Sequence, residues 1–128
     1  MITIKQYFGA QNGAPAAHLK NAGELLRRVN ALLEQAPHAP INPVTGSQVS
    51  GEKWGGYRTQ DCPIGAPKSA HKTGEAVDLY DPQGSLDAWL TDERLESAQL
   101  YREAPAATHG WCHLTTRAPA SGHRTFNP

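Results

Sequence analysis

Ser69-Ala70-His71-Lys72-Thr73-Gly74-Glu75-Ala76-Val77-Asp78-Leu79-Tyr80 sets a histidine and an aspartate seven residues apart, with a glycine between them and a β-favouring run behind. A neutral imidazole and a hard carboxylate together suit Zn²⁺. Seven residues is too wide for one helical turn. The spacing fits a first ligand on a loop, a tight turn at Gly74 and a second ligand carried back on a strand. A catalytic zinc site takes a third protein ligand and leaves a position for water. His113, in the short strand-like run Trp111-Cys112-His113-Leu114, offers that third ligand. Spacing alone also fits a surface histidine beside a turn-capping aspartate.

Outward from this stretch the chain reads as one domain over residues 1–128, long enough for a single core. Hydrophobic residues make up 38%, with ten prolines and twelve glycines, which describes a loop-rich globular protein rather than a disordered one. Twelve basic residues balance twelve acidic ones, so no basic stripe points to nucleic acid. Apolar runs are only a few residues long, so no membrane span is expected. The start, Met1 to Phe8, has no basic region followed by an apolar one, so no signal peptide is expected. Cys62 and Cys112 are too few for a disulfide scaffold. On a strand, Cys112 points away from the His113 face and reads as a small buried hydrophobe.

Ile2, Ile4 and Tyr7-Phe8 suggest a short edge strand, followed by a loop from Gly9 to Pro15. Leu19, Ala22, Leu26, Val29 and Leu33 recur at three and four, predicting an amphipathic helix from Ala17 to Gln35 that Pro37 ends. Pro43 to Gly46 is a turn, and Ser47 to Gly55 a strand or irregular segment. Gln60 to Lys68 reads as a loop lining a cleft. Ser85 reads as the N-cap of a further helix carrying Leu86, Trp89 and Leu90, continuing or restarting through Leu95. Leu100 to Glu103 and Trp111 to Thr116 read as an antiparallel hairpin that sets Glu103 beside His113. The Pro/Gly/Ser-rich tail from Arg117 is expected to pack through Phe126 without regular structure.

Ser69-x-His71-x-x-Gly74-x-Ala76-x-Asp78, preceded by Gly56-Tyr57-Arg58 and followed by Trp111-x-His113, resembles the zinc D-Ala-D-Ala carboxypeptidase family, peptidase family M15. That family also includes phage L-alanyl-D-glutamate endopeptidases. Thr108-x-Gly110-Trp111-x-His113-Leu114 and Pro119-x-Ser121-Gly122-x-Arg124-x-Phe126-x-Pro128 look like its short phage-encoded members. The resemblance runs from about Val44 to the C-terminus.

It implies an α+β fold of the hedgehog/D-Ala-D-Ala peptidase kind. A small antiparallel sheet would carry the zinc site on one face and the N-terminal helix on the other. It implies Zn²⁺ on His71, Asp78 and His113, with Arg58 beside the metal to stabilise an oxyanion. Ser69 is placed either to bind substrate or to cap a turn. Many members carry an acidic residue three positions before the last histidine, and here that position is Gly110. Glu103 and His109 are the two candidates for general acid–base work, with Glu103 favoured.

The implied function is hydrolysis of an amide bond in peptidoglycan stem peptides, as an endolysin held in the host cytoplasm or a virion-associated lysin. The alternative is a structural virion protein that keeps the zinc fold and contacts other virion proteins. Neither nucleic acid nor membrane is an expected partner.

Overall fold

The computed structural model describes residues 1–128. Its elements in chain order are α1 (Ile4–Phe8), α2 (Ala16–Gln35), a 3₁₀ turn (Ala70–Thr73), β1 (Ala76–Tyr80), α3 (Ser85–Trp89), α4 (Asp92–Ala98), β2 (Tyr101–Glu103), a second 3₁₀ turn (Pro105–Ala107), β3 (Trp111–Thr115) and β4 (Thr125–Phe126). The architecture is α+β, as expected. No helix is long and apolar enough to cross a membrane.

The four strands lie in the order β1-β3-β2-β4. β3 pairs antiparallel with β1, Asp78 opposite His113, and antiparallel with β2, Arg102 opposite Leu114. Side chains alternate faces along a strand. Asp78, Trp111, His113 and Glu103 therefore share one face. Val77, Leu79, Cys112 and Leu114 occupy the other, all fully buried in one core with α2. The expected layering holds for the strands, while His71 stands off the sheet on the first 3₁₀ turn.

α2 forms where the periodicity predicts it and buries Ala22, Leu25, Leu26, Val29, Leu32 and Leu33. Leu19, expected on that stripe, is 48% exposed. The buried stripe begins a turn later, at Ala22.

Three expectations are corrected. The N-terminal segment is the helix α1, not an edge strand. Thr3 accepts from the Gln6 N–H and the Gln6 side chain accepts from the Thr3 N–H. This reciprocal capping box nucleates a helical turn despite the β-favouring isoleucines. Ser85 is the first residue of α3 rather than its cap. The N-cap is Gly84, and the first-turn N–H groups of Leu86 and Asp87 are taken up by the two carboxylate oxygens of Asp81, each at 2.9 Å.

The tail, in turn, is regular where it meets the sheet. β4 pairs parallel with β2, Arg102 opposite Thr125, so the sheet is mixed rather than wholly antiparallel. Ser47 to Gly55 is the irregular one of the two forms expected for it. It covers the free edge of β1 through Ser50 N–H to the Asp78 carbonyl (2.8 Å) and Asp78 N–H to the Gly55 carbonyl (2.7 Å). An open edge strand beside a charged site would invite pairing with another chain, and this segment closes it.

Candidate metal centre

Three side chains converge on the polar face of the sheet. The nearest ligand atoms of His71, Asp78 and His113 all lie within 4.8 Å of one another. Each arrives by a different route. His71 sits on the 3₁₀ turn, whose N-cap Ser69 accepts from the His71 N–H at 3.3 Å. Gly74 ends that turn at φ +80°, a left-handed conformation that favours glycine. The reversal feeds β1, which carries Asp78, and the antiparallel register brings His113 of β3 opposite it.

The hydrogen bonds fix the ligand atoms. His71 Nδ1 lies 2.8 Å from the Gly56 carbonyl, in buried surroundings. A carbonyl only accepts, so Nδ1 carries the proton and the neutral ring's lone pair is on Nε2. That Nε2 lies 3.3 Å from Asp78 Oδ1. Two buried acceptors facing each other at that distance call for a cation between them. Two ligands each about 2.0–2.1 Å from a tetrahedral metal would themselves stand about 3.3 Å apart. The backbone carbonyl behind His71 is also the usual outer partner of a metal-bound imidazole. The three residues fit a metal ion.

His113 Nδ1 lies 2.8 Å from Asp78 Oδ1, and its Nε2 is 3.8 Å from Glu103 Oε1. Burial pushes the Asp78 carboxyl up. The opposing pull of His71 and His113 outweighs it and holds the group well below the usual carboxylate range. Asp78 is therefore ionised at any physiological pH, the form in which a carboxylate could hold a metal ion.

Arg58 is 9% exposed and held on two sides. Its Nε donates to the Trp54 carbonyl at 2.8 Å and its Nη2 to Asp78 Oδ2 at 3.3 Å. Nη1 has no protein partner and faces a cleft of about 490 Å³, also lined by the three ligands, Ser69 and Glu103. Gly65 lies against this guanidinium. A Cβ there would stand 2.7 Å from Nη1 and push the guanidinium aside, and φ +84° at this position favours glycine.

The structure thus brings together His71, Asp78, His113, Arg58, Ser69 and Glu103. It leaves out His109, which is exposed and does not line the cleft. The Gly110 position carries no side chain and turns the chain at φ +96°. Cys112 is fully buried on the opposite face, where burial pushes its thiol well up, and neither cysteine is bonded to the other. Ser69 both caps the turn and lines the cleft, so its two readings are compatible.

Several contributors escaped sequence reasoning. The Trp54 and Gly56 carbonyls that aim Arg58 and His71 are backbone groups, which leave no mark on residue type. Arg117 lines the cleft and is tied to Glu75 at 2.9 Å and to the Lys68 carbonyl at 2.6 Å. Its place just after β3 was the available signal. In comparisons with protein-family models, curated proteins and solved structures, nothing matched the chain.

Proposed function

We propose that the chain is a zinc-dependent peptidase that hydrolyses an amide bond in peptidoglycan stem peptides, serving a phage as an endolysin or a virion-associated lysin. One observation carries the reading: a buried histidine–aspartate–histidine group opens onto a cleft that also holds a free guanidinium donor and a carboxylate. Two imidazoles and one carboxylate are a donor set that zinc favours. The motif resemblance supplies the substrate class.

His71, Asp78 and His113 would hold the ion, which supplies Lewis acidity toward a carbonyl and toward water. The chain's own residues do the rest. Arg58 Nη1 is free to donate to the carbonyl oxygen as negative charge builds on it. Glu103 is the acid–base group, taking a proton from the attacking water and passing it to the departing amine. Its carboxylate stands 3.8 Å from His113 Nε2, beside the site. Ser69 can donate its hydroxyl proton to the substrate backbone.

The test uses purified sacculi and zinc-loaded protein. Soluble peptide should be released, release should stop with chelator, and it should resume when zinc is returned. A His71→Ala variant should bind markedly less zinc. Zinc binding without any release would instead favour a structural virion protein.

A further inference from the structure

The row of side chains that carries the ligands does not stop at Glu103. Asp78 stands opposite His113 in the β1–β3 pair, and the pairing of Arg102 with Leu114 sets Glu103 beside His113. Parallel pairing then sets Phe126 of β4 beside Glu103. Neighbouring strands are about 4.8 Å apart, so Asp78, His113, Glu103 and Phe126 form one line across the polar face. Phe126 closes that line and borders the same cleft as the other three.

Phe126 is held firmly, but not for the sake of the core. The Arg102 and Ala104 N–H groups donate to the Arg124 and Phe126 carbonyls at 2.8 and 2.7 Å. The Thr125 hydroxyl accepts from Arg102 Nε at 3.1 Å and donates to Asp92 at 2.8 Å. Arg124 donates to the Leu100 carbonyl at 3.1 Å, and its guanidinium lies 4.3 Å from the Tyr101 ring centroid. So short a strand needs such clamps to keep its register. Yet the Phe126 ring is only half-buried and has no place in the hydrophobic core, which lies behind the other face of the sheet. An aromatic ring fixed at a cleft and left out of the core is a surface for whatever enters the cleft.

The line has a direction. Arg58, bonded to Asp78, lies at one end and draws the carbonyl oxygen of the scissile bond toward it. Glu103, which passes a proton to the departing amine, lies toward the other end. The residue that leaves with the amine is thereby laid over Phe126. Of the two arginines that line the cleft, Arg58 is at the far end of the row and Arg117 is paired with Glu75 at 2.9 Å. An acidic side chain over Phe126 would lose water to an apolar ring, have no unpaired cation beside it and stand next to the Glu103 carboxylate.

We infer that Phe126 is a specificity-determining residue, the apolar wall that receives the side chain leaving with the amine and selects an apolar one over an acidic one. This rests on the peptidase reading.

Zinc-loaded protein acting on purified sacculi identifies the bond that is cut, by mass spectrometry of the released peptides. Synthetic peptides then keep the acyl side of that bond and carry alanine, leucine or glutamate after it, in the configuration found there. The parent should cleave the alanine and leucine peptides with a higher kcat/KM than the glutamate peptide. Phe126→Ala should lower the leucine-to-glutamate ratio about tenfold, the low end of what a pocket distinguishes by a single methylene. Phe126→Leu should keep most of the ratio. Because the ratio is taken within one preparation, partial misfolding of a variant does not alter it. A second measurement needs neither a variant nor turnover. The chain has two phenylalanines, and Phe8 sits in the core. Fluorinated phenylalanine therefore gives one fluorine signal at the wall and one internal reference. Leucinamide added to zinc-loaded protein should move the Phe126 signal and leave the Phe8 signal in place, whereas the amide of glutamate should move neither. A preference for the glutamate peptide, an unchanged ratio in Phe126→Ala, or an equal response to the two amides overturns the inference and leaves the peptidase reading standing. Absence of any release from zinc-bound protein overturns both.

Discussion

Asp78 is the residue through which the site is coupled. One of its oxygens faces both histidines and the other accepts from Arg58. The ligand trio is legible in the sequence because the ligands come as a loop–turn–strand unit and a second strand, whose register is nearly forced by apolar alternation. The acid–base group is less legible, since His109 lies four residues from His113 and Glu103 ten, so nearness in sequence points to the wrong one. Only the pairing of Arg102 with Leu114 turns Glu103 to the ligand face and leaves His109 outside. Glu103→Gln should therefore cut release from sacculi by about 10²–10⁴-fold at unchanged zinc content, the usual scale of acid–base help. His109→Ala should have little effect. The reverse pattern would remove Glu103 from its proposed role. Arg58→Ala should retain zinc and lose about 10²-fold in turnover if Nη1 stabilises the oxyanion. Full activity in that variant would leave Arg58 only a structural partner of Asp78.

At the scale of elements, the decisive piece is the reversal at Gly74, which sets the His71 turn against β1. The sequence marks it because glycine alone punctuates the stretch. It gives no sign that α2 presses on the same point, which depends on packing between distant segments. A Cβ on Gly74 would stand 2.5 Å from the His18 carbonyl oxygen, in addition to the strain of φ +80°. Gly74→Ala should therefore destabilise the fold by about 1–3 kcal/mol and weaken zinc binding, because both ligands depend on this turn. Equal urea midpoints and equal zinc affinity for the variant and the parent would show that the turn tolerates a side chain. The same difference between local and distant signals explains the misreadings. β-propensity at Ile2 and Ile4 lost to a capping box, and Ser85 looked like a cap because Asp81 reaches forward five residues to take up the first-turn N–H groups. β4 was hidden because two residues become a strand only by pairing with β2.

Across the whole molecule, the N-terminal segment braces the metal centre from behind. Tyr7 of α1 donates its buried phenol to the Ala76 carbonyl at 2.8 Å, at the start of β1, and its own carbonyl accepts from the Tyr57 N–H next to Arg58. Burial pushes the Tyr7 phenol far above its ordinary value of 10.0, with nearby Tyr57 and Asp78 adding to the rise. The sign of the consequence follows from linkage. The folded chain keeps this proton above pH 10, where the unfolded chain releases it. The stability tied to this residue is therefore complete below pH 10 and falls as pH rises further, by up to about 1.4 kcal/mol per pH unit. Tyr7→Phe removes that loss together with the hydrogen bond, whose net worth is about 1 kcal/mol. The parent should thus be the more stable protein at pH 7 to 9, and the two should converge and then cross as pH rises past 10. Urea unfolding of both proteins in the presence of chelator, from pH 7 to 11, gives the comparison directly. Tyr57, whose phenol burial also raises, is common to both proteins and cancels in the difference. Parallel curves throughout would mean that the Tyr7 phenol ionises in the folded protein as readily as in the unfolded chain, and that α1 does not seal the back of the site.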